Sequence, residues 1–137
     1  MRIAICSSMS FVDDMVKIKD YLVYRGHEVV LPRNTELYAN GSLIFESRVE
    51  SAENKLDHDL IKNYFKEIQN SNAALIDNKT KNNIENYVGG NTLMEMGFAY
   101  VLDKKIFLLN PIPAMSYTAE IEAMSPVVIN GYLNLIK

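Results

Sequence analysis

A glutamate in an otherwise apolar segment is the residue of this sequence best suited to chemistry. Glu95 follows the polar run Gly89-Gly90-Asn91-Thr92, and the residues immediately on either side of it are apolar. The glycines permit close approach of a ligand to the backbone, and the first turn of a helix presents free N–H groups and a positive dipole end. We therefore expect Gly89, Gly90 and Asn91 to bind an anion or a sugar hydroxyl. Ordinary helix capping by Asn91 or Thr92 explains Asn91 equally well.

Polar side chains also follow three apolar runs that have the length of strands. Ser7 and Ser8 follow the first run, Asp77 and Asn78 follow a later one, and Asn110 follows the next. In an open parallel sheet, ligands bind outside the carboxyl ends of the strands. We expect these residues to line one crevice that also contains Glu95.

Strands alternate with helices along the whole chain. Apolar runs predict strands, three- and four-residue spacing predicts helices, Ser10 is expected to cap the first helix, and Gly26 is expected to end it. The predicted strands are residues 3–6, 28–32, 73–76, 106–109 and 127–129, and the later helices are residues 56–68, 93–102 and 118–124.

This alternation predicts one α/β domain over residues 1–137. We expect a doubly wound, flavodoxin-like domain with a five-stranded parallel sheet in the order 2-1-3-4-5 and helices on both faces. Residues 33–55 are polar and irregular, and a stretch of that length is more typical of a functional lid over the strand ends than of a plain connector.

Composition excludes several functional classes. The net charge is −3 and the 14 basic residues are scattered, which disfavours a nucleic-acid partner. No apolar run approaches the roughly 20 residues that cross a bilayer, and the N-terminus lacks a signal-peptide core. The single cysteine, Cys6, favours a reducing compartment, and no Cys/His spacing indicates a zinc site. We expect a cytoplasmic protein without a metal site.

Three segments together resemble the nucleoside 2-deoxyribosyltransferase superfamily, including its nucleotide N-glycosidase members. They are residues 4–8, the apolar strand ending at Asp77-Asn78, and residues 90–99 with the basic-apolar strand 104–109 that follows. The resemblance covers nearly the whole chain. Its specific part is the Glu-x-Gly-x-Ala pattern that begins at Glu95, with the strand that follows it.

The resemblance implies an activity and a role for Glu95. In that superfamily the glutamate of this segment is the nucleophile, so Glu95 would attack the anomeric carbon of a ribosyl or deoxyribosyl group in a nucleoside or nucleotide. A covalent sugar ester would form and be resolved by water or a second base, as in retaining glycosidases. No cofactor or metal is implied.

The superfamily also suggests a homodimer or a higher homo-oligomer. Side chains near the last predicted helix are available for such a contact, or for closing this subunit's own core. They are Met115, Tyr117, Ile121 and Met124.

The sequence departs from the superfamily at the proton donor. Members carry an acidic residue on the helix before the third strand, but here Tyr64 stands at that place, with Asp57, His58 and Asp59 one to two turns earlier. Tyr64 becomes a candidate for binding substrate. Asp77 becomes the candidate proton donor, although a solvated turn residue is the alternative interpretation.

The first loop departs too. Ser7, Ser8 and Ser10 replace the tyrosine or arginine that some members place there, and they either contact a sugar or phosphate or simply form the turn and the helix cap.

Two functions from different classes follow. The first is an N-glycosidic bond hydrolase or a (deoxy)ribosyl transferase acting on a nucleoside or nucleotide. The second is a non-catalytic nucleotide-binding or sensing module on the same fold, which the missing helix carboxylate favours. A redox flavodoxin and a dinucleotide dehydrogenase are disfavoured, because the first loop is short and no Gly-x-Gly-x-x-Gly follows the first strand.

Overall fold

The computed structural model describes residues 1–43 and 59–137. The part of the predicted lid beyond residue 43, the predicted helix start at Leu56, and Asp57 and His58 lie outside the described residues. The strands are β1 (Arg2–Cys6), β2 (Glu28–Val30), β3 (Ala73–Ile76), β4 (Lys105–Leu108) and β5 (Val127–Val128). The α-helices are α1 (Val12–Tyr24), α2 (Thr35–Ala39), α3 (Leu60–Gln69), α4 (Gly90–Val101) and α5 (Thr118–Ala123). Short 3₁₀ helices span Met9–Phe11 and Leu133–Leu135.

The described strands form a five-stranded sheet in the order β2-β1-β3-β4-β5, and every pair is parallel. At the centre, Cys6 pairs with Ile76 and Ile76 pairs with Leu108. All four residues of β3 are buried, because helices cover both faces of the sheet. The predicted fold class and strand order are confirmed.

Alternation along each strand divides the core into two layers. Ile5 and Leu75 point to the layer that contains Met15 of α1, and Ile136 from the C-terminal segment closes that layer. Cys6 and Ile76 point to the opposite layer, which holds side chains of α3, α4 and α5: Tyr64, Ile68, Met96, Ala99 and Ile121. Helices therefore approach the carboxyl ends of β1 and β3 from both faces.

The predicted cap of the first helix and the predicted end of the second strand are wrong. Ser10 does not cap α1; the Ser8 side chain accepts a hydrogen bond from the Ser10 N–H at 3.2 Å and starts a 3₁₀ turn, and α1 follows with Phe11 at its N-cap position. The second strand ends at Val30 and does not reach Pro32. Proline has no N–H for the ladder, so pairing stops before it.

The described start of the excursion, residues 33–43, lies against α1. Thr35 is buried and its hydroxyl donates to the Pro32 carbonyl at 2.6 Å. Glu36 forms an ion pair of 2.6 Å with Lys19 of α1, and Tyr38 packs against the core layer of that helix. The excursion therefore begins with helix α2, anchored to the domain.

The side chains considered for a subunit contact mostly close this subunit's own core. Ile121 is fully buried, and Tyr117 and Met124 pack against its layer. The Tyr117 hydroxyl also donates to the backbone carbonyl of Val88, which ties α5 to the segment before α4. These contacts give the segment a role within the domain.

Candidate active site

The ends of β1 and β3 are joined by the first residue that follows each strand. The Asp77 N–H donates to the Cys6 carbonyl at 2.9 Å, which extends the ladder by one step. The buried hydroxyl of Ser7 donates to the Asp77 carbonyl at 2.8 Å. Two predicted site residues, 70 positions apart in the chain, are thus in direct contact.

The Asp77 carboxyl group is enclosed by protein. Its side chain is 0% exposed, and within the described part of the chain neither carboxylate oxygen has a hydrogen-bond partner. Burial raises the pKa of Asp77 from 3.8 to about 7, because the charged form loses its hydration. A carboxyl group that titrates near neutral pH can donate and accept protons under physiological conditions. The alternative interpretation of Asp77 as a solvated turn residue is wrong.

Asn78 fastens the loop after β3 to the loop after β4. Its side-chain oxygen accepts from the Asn110 N–H at 2.8 Å, and its amide donates to the carbonyls of Asn110 and Pro111 at 3.0 and 3.2 Å. The Asn110 amide returns a bond to the Asn78 carbonyl at 3.0 Å. The structure brings these two predicted residues together, with Asn78 fully buried and Asn110 half-buried.

Helix α4 begins without a side-chain cap. Gly89 is the N-cap residue and makes no side-chain capping bond, and the helix starts at Gly90, so the expectation that Asn91 or Thr92 caps it is wrong. Asn91 is exposed in the first turn, whereas Thr92 is buried. A Cβ atom at position 89 would lie 3.2 Å from the Tyr87 ring, so a larger residue there would require a small shift of that ring.

Glu95 faces the protein interior, with 6% of its surface exposed. It lies five residues after Gly90, beyond the first turn, and its carboxylate contacts the Cys6 thiol at the carboxyl end of β1. Burial raises the pKa of Cys6 well above its usual value, and the charge and hydrogen bond of Glu95 raise it further. Glu95 therefore lies next to the last residue of β1.

The Tyr64 side chain contacts backbone carbonyl groups near the end of β2. Its hydroxyl donates to the Ile5 carbonyl and lies 3.3 Å from the Val30 carbonyl. Because β2 ends at Val30, these carbonyls would otherwise lack a strand partner. Burial raises the pKa of Tyr64 well above its usual value, and charge on Cys6 and Glu95 adds to the effect.

The fold is similar to that of a solved structure. A structure of Clostridium botulinum CMP N-glycosidase, BcmB, superposes with a TM-score of 0.52 and 17% sequence identity, covering 98% of this chain and 97% of that one. The two proteins share a fold. The predicted resemblance to nucleotide N-glycosidases is confirmed at that level. No family model matches the sequence, and no curated protein matches it significantly.

The structure adds three charged residues that the sequence analysis did not select. The Lys79 ammonium lies 2.9 Å from an Asp14 carboxylate oxygen and 3.9 Å from one of Asp77, and the Lys81 ammonium donates to the Ser8 hydroxyl at 2.8 Å. Lys79 directly follows the selected Asp77-Asn78 pair and Lys81 comes two residues later, so their closeness to the pair in sequence could have identified them. Asp14 comes from the first turn of α1, and sequence alone does not place it beside the loop after β3.

A concave region lies at the opposite edge of the sheet. It has a volume of about 610 Å³, and its lining includes Met1, Tyr100, Lys105 and Val127 at the amino-terminal side of the strands. None of the predicted site residues lines it. This cavity and the predicted site residues therefore lie at different edges of the sheet, and the position of the buried carboxyl groups favours the carboxyl edge.

Membrane-spanning helices and metal-ligand clusters are absent from the described residues. None of their helices has both the length and the apolar character needed to cross a membrane. Within the same ranges, 1–43 and 59–137, no three His, Cys, Asp or Glu side chains are grouped as metal ligands would be.

Proposed function

We propose that this protein cleaves the N-glycosidic bond of a nucleotide, with Glu95 as the nucleophile and Asp77 as the proton donor. The observation that carries the proposal is the burial of Glu95 against the carboxyl end of β1 in a fold shared with a CMP N-glycosidase. A carboxylate in that position lies beside the crevice where open parallel sheets bind their ligands.

The proposed reaction has two steps. In the first, a Glu95 carboxylate oxygen bonds to the anomeric carbon while the glycosidic C–N bond breaks, and the bonding electron pair leaves with the base, which takes the Asp77 proton. In the second, water gives its proton to the Asp77 carboxylate and attacks the anomeric carbon, which releases the sugar and regenerates Glu95. Attack by a second base in place of water gives a transferase. The sequence resemblance implies neither a metal nor a cofactor for these steps.

Two features support a substrate that carries a 5′-phosphate. The first N–H groups of α4, from Gly90 to Thr92, have no acceptors within the helix, and the positive end of its dipole stabilises negative charge. On the loops after β1 and β3, the Ser8 hydroxyl and the Lys81 ammonium lie together. In this proposal the phosphate binds to these groups and the sugar lies beside Glu95.

The second candidate is a nucleotide-binding module without turnover. The observation that favours it is the engagement of Tyr64, which occupies the place of the superfamily's helix carboxylate and donates its hydroxyl to a backbone carbonyl. Since Tyr64 does not donate the proton, either Asp77 donates it or the protein has no proton donor and only binds nucleotides. Measuring turnover separates these alternatives.

Location and assembly remain predictions. A single buried thiol fits the expected reducing cytoplasm. For the expected homodimer or higher homo-oligomer, light scattering after size-exclusion chromatography measures the mass directly.

The deciding experiment is release of free base from CMP and from a panel of other ribo- and deoxyribonucleotides and the matching nucleosides. We expect turnover of at least one nucleotide, weaker turnover of its nucleoside, and turnover at least ~100-fold slower in the Glu95→Gln variant. Chemical quench with mass spectrometry would detect a sugar ester on Glu95. Saturable binding of a nucleotide without base release would instead support the binding module.

A further inference from the structure

Lys79 lies between two carboxylates that come from different elements. Its ammonium is 2.9 Å from Oδ2 of Asp14 on α1 and 3.9 Å from Oδ1 of Asp77. The longer distance exceeds the 2.7–3.2 Å range of an N–H···O hydrogen bond. The ammonium therefore acts on Asp77 by electrostatic attraction and not by a hydrogen bond. Asp14 and Lys79 are about one-third exposed, whereas the Asp77 side chain is fully enclosed.

An ammonium bound directly to Asp77 would keep that carboxyl group ionised. An opposite charge within about 4–6 Å stabilises the charged form, and the effect grows when the contact becomes a direct hydrogen bond. In the observed geometry the cation lies closer to the partly exposed carboxylate of Asp14 than to the enclosed carboxylate of Asp77. Asp14 thus competes with Asp77 for Lys79.

We propose that Asp14 is a positioning residue, which holds the Lys79 ammonium away from Asp77 so that Asp77 retains a proton for the leaving base. The role assigned to that proton rests on the proposed function. Asp14 and Lys79 touch neither the sugar nor the base in this proposal; they act through Asp77. The raised pKa of Asp77, about 7, is consistent with an ammonium that does not pair with it.

The other charged groups at this edge have partners other than Asp77 and Asp14. In the loop after Asp77, Lys81 donates to Ser8. On the other face of the sheet, Cys6 and Glu95 interact with each other. Among the described groups, Lys79 is the cation nearest to Asp77, and its ion-pair partner is Asp14 of α1.

The test is an NMR titration of the Asp77 carboxyl carbon in the full-length protein. In the Asp14→Asn variant, Lys79 is released and should pair with Asp77, lowering its pKa by ~1 unit, or tenfold in the ionisation constant. In Lys79→Met the same pKa should rise. Asp13→Asn is the matched control, because Asp13 is the exposed neighbour on the same turn of α1 and its loss changes the net charge equally. It should shift the pKa by less than ~0.3 unit.

A double variant separates positioning from direct repulsion. If Asp14 acts through Lys79, adding Asp14→Asn to Lys79→Met should leave the Asp77 pKa within ~0.3 unit of the Lys79→Met value. An equal fall in both backgrounds would overturn the proposal, as would an Asp14→Asn shift no larger than the control's.

The pH profile of kcat tests the role of the proton separately. Under the proposal, its basic limb moves to lower pH in Asp14→Asn by the same interval as the NMR midpoint. A shifted midpoint with an unmoved limb would support the positioning of Lys79 and contradict Asp77 as the proton donor, which is a failure of the proposed function alone.

Discussion

Ser7 and Asp77 are joined by a hydrogen bond of 2.8 Å from the Ser7 hydroxyl to the Asp77 backbone carbonyl. The bond fixes the chain where β1 and β3 end, so the backbone sets the position of the Asp77 side chain. Among the described residues, no hydrogen bond holds the carboxylate oxygens themselves. Asp77 can therefore gain and lose a proton without breaking a side-chain hydrogen bond that holds it in place.

Replacing Glu95 with Gln tests the nucleophile. The amide keeps the shape of the side chain but cannot form the sugar ester, so kcat should fall by at least ~100-fold while nucleotide binding changes much less. Single-turnover base release and equilibrium binding measure the two effects. Glu120→Gln on the exposed surface of α5 is the matched control and should keep full activity. Full activity in Glu95→Gln would contradict the mechanism.

Replacing Asp77 with Asn tests the proton donor. A general acid typically supplies roughly 10²- to 10⁴-fold, so the rate should fall by that order for bases that leave poorly without protonation. Bases that leave readily should be affected less. Single-turnover rates across leaving groups of different basicity measure this slope, and an equal loss for every base would show that Asp77 does not deliver the proton.

The same carboxyl group should make stability depend on pH. The pKa of Asp77 is about 7 in the folded protein against 3.8 for the unperturbed group. Between these values the folded state binds one more proton than the unfolded state, so the free energy of unfolding falls as pH rises through this window. With ~1.4 kcal/mol per pKa unit, the loss is at most about 4 kcal/mol.

Urea unfolding of the wild type and Asp77→Asn measures this contribution. The variant lacks the charge, so it should gain up to about 4 kcal/mol relative to the wild type between about pH 4 and pH 8. A variant that loses activity yet gains stability at the higher pH is typical of a residue kept for function. If the stability difference between the wild type and Asp77→Asn is the same at both pH values, burial of the Asp77 carboxylate does not cost free energy.

Local patterns were enough to predict the sheet order and the apolar surroundings of Glu95. Each strand is a short apolar run, and Glu95 lies between Met94 and Met96 on a helix that packs against the sheet. Parallel crossovers then bring the carboxyl ends together, which placed Ser7 near Asp77.

Contacts between elements distant in sequence could not be predicted. The pairing of Asp14 with Lys79 depends on how far α1 is rotated over the sheet, and sequence periodicity does not set that rotation to within an ion-pair distance. The sequence makes Tyr64 a candidate for binding substrate because it stands where members of the similar superfamily carry an acidic residue. Its bond to Ile5 depends on where β2 ends, a boundary that was itself predicted wrongly.

Tyr64→Phe distinguishes a structural role from substrate binding. Removing the hydroxyl leaves the buried Ile5 carbonyl without this donor, which should lower the free energy of unfolding by ~1–3 kcal/mol. KM should change less than ~2-fold, because the hydroxyl is committed to the backbone. Urea unfolding and steady-state kinetics measure the two, with Tyr24→Phe at an 86% exposed position as control. A tenfold rise in KM with unchanged stability would restore Tyr64 as a substrate-binding residue.

Asn78→Ala tests whether the loops after β3 and β4 act as one unit. The side chain exchanges hydrogen bonds with Asn110 and donates to Pro111, and it is fully buried, so its removal leaves several polar backbone groups without these partners. We expect a loss of about 2–4 kcal/mol in the free energy of unfolding. Because Asp77 precedes Asn78 directly, kcat should fall as well, and the pKa of Asp77 should move toward its usual value as water enters. Asn134→Ala, at an exposed position near the C-terminus, should change neither quantity. Destabilisation without any change in the Asp77 pKa would mean that the two loops stabilise the fold but do not control the environment of the carboxyl group.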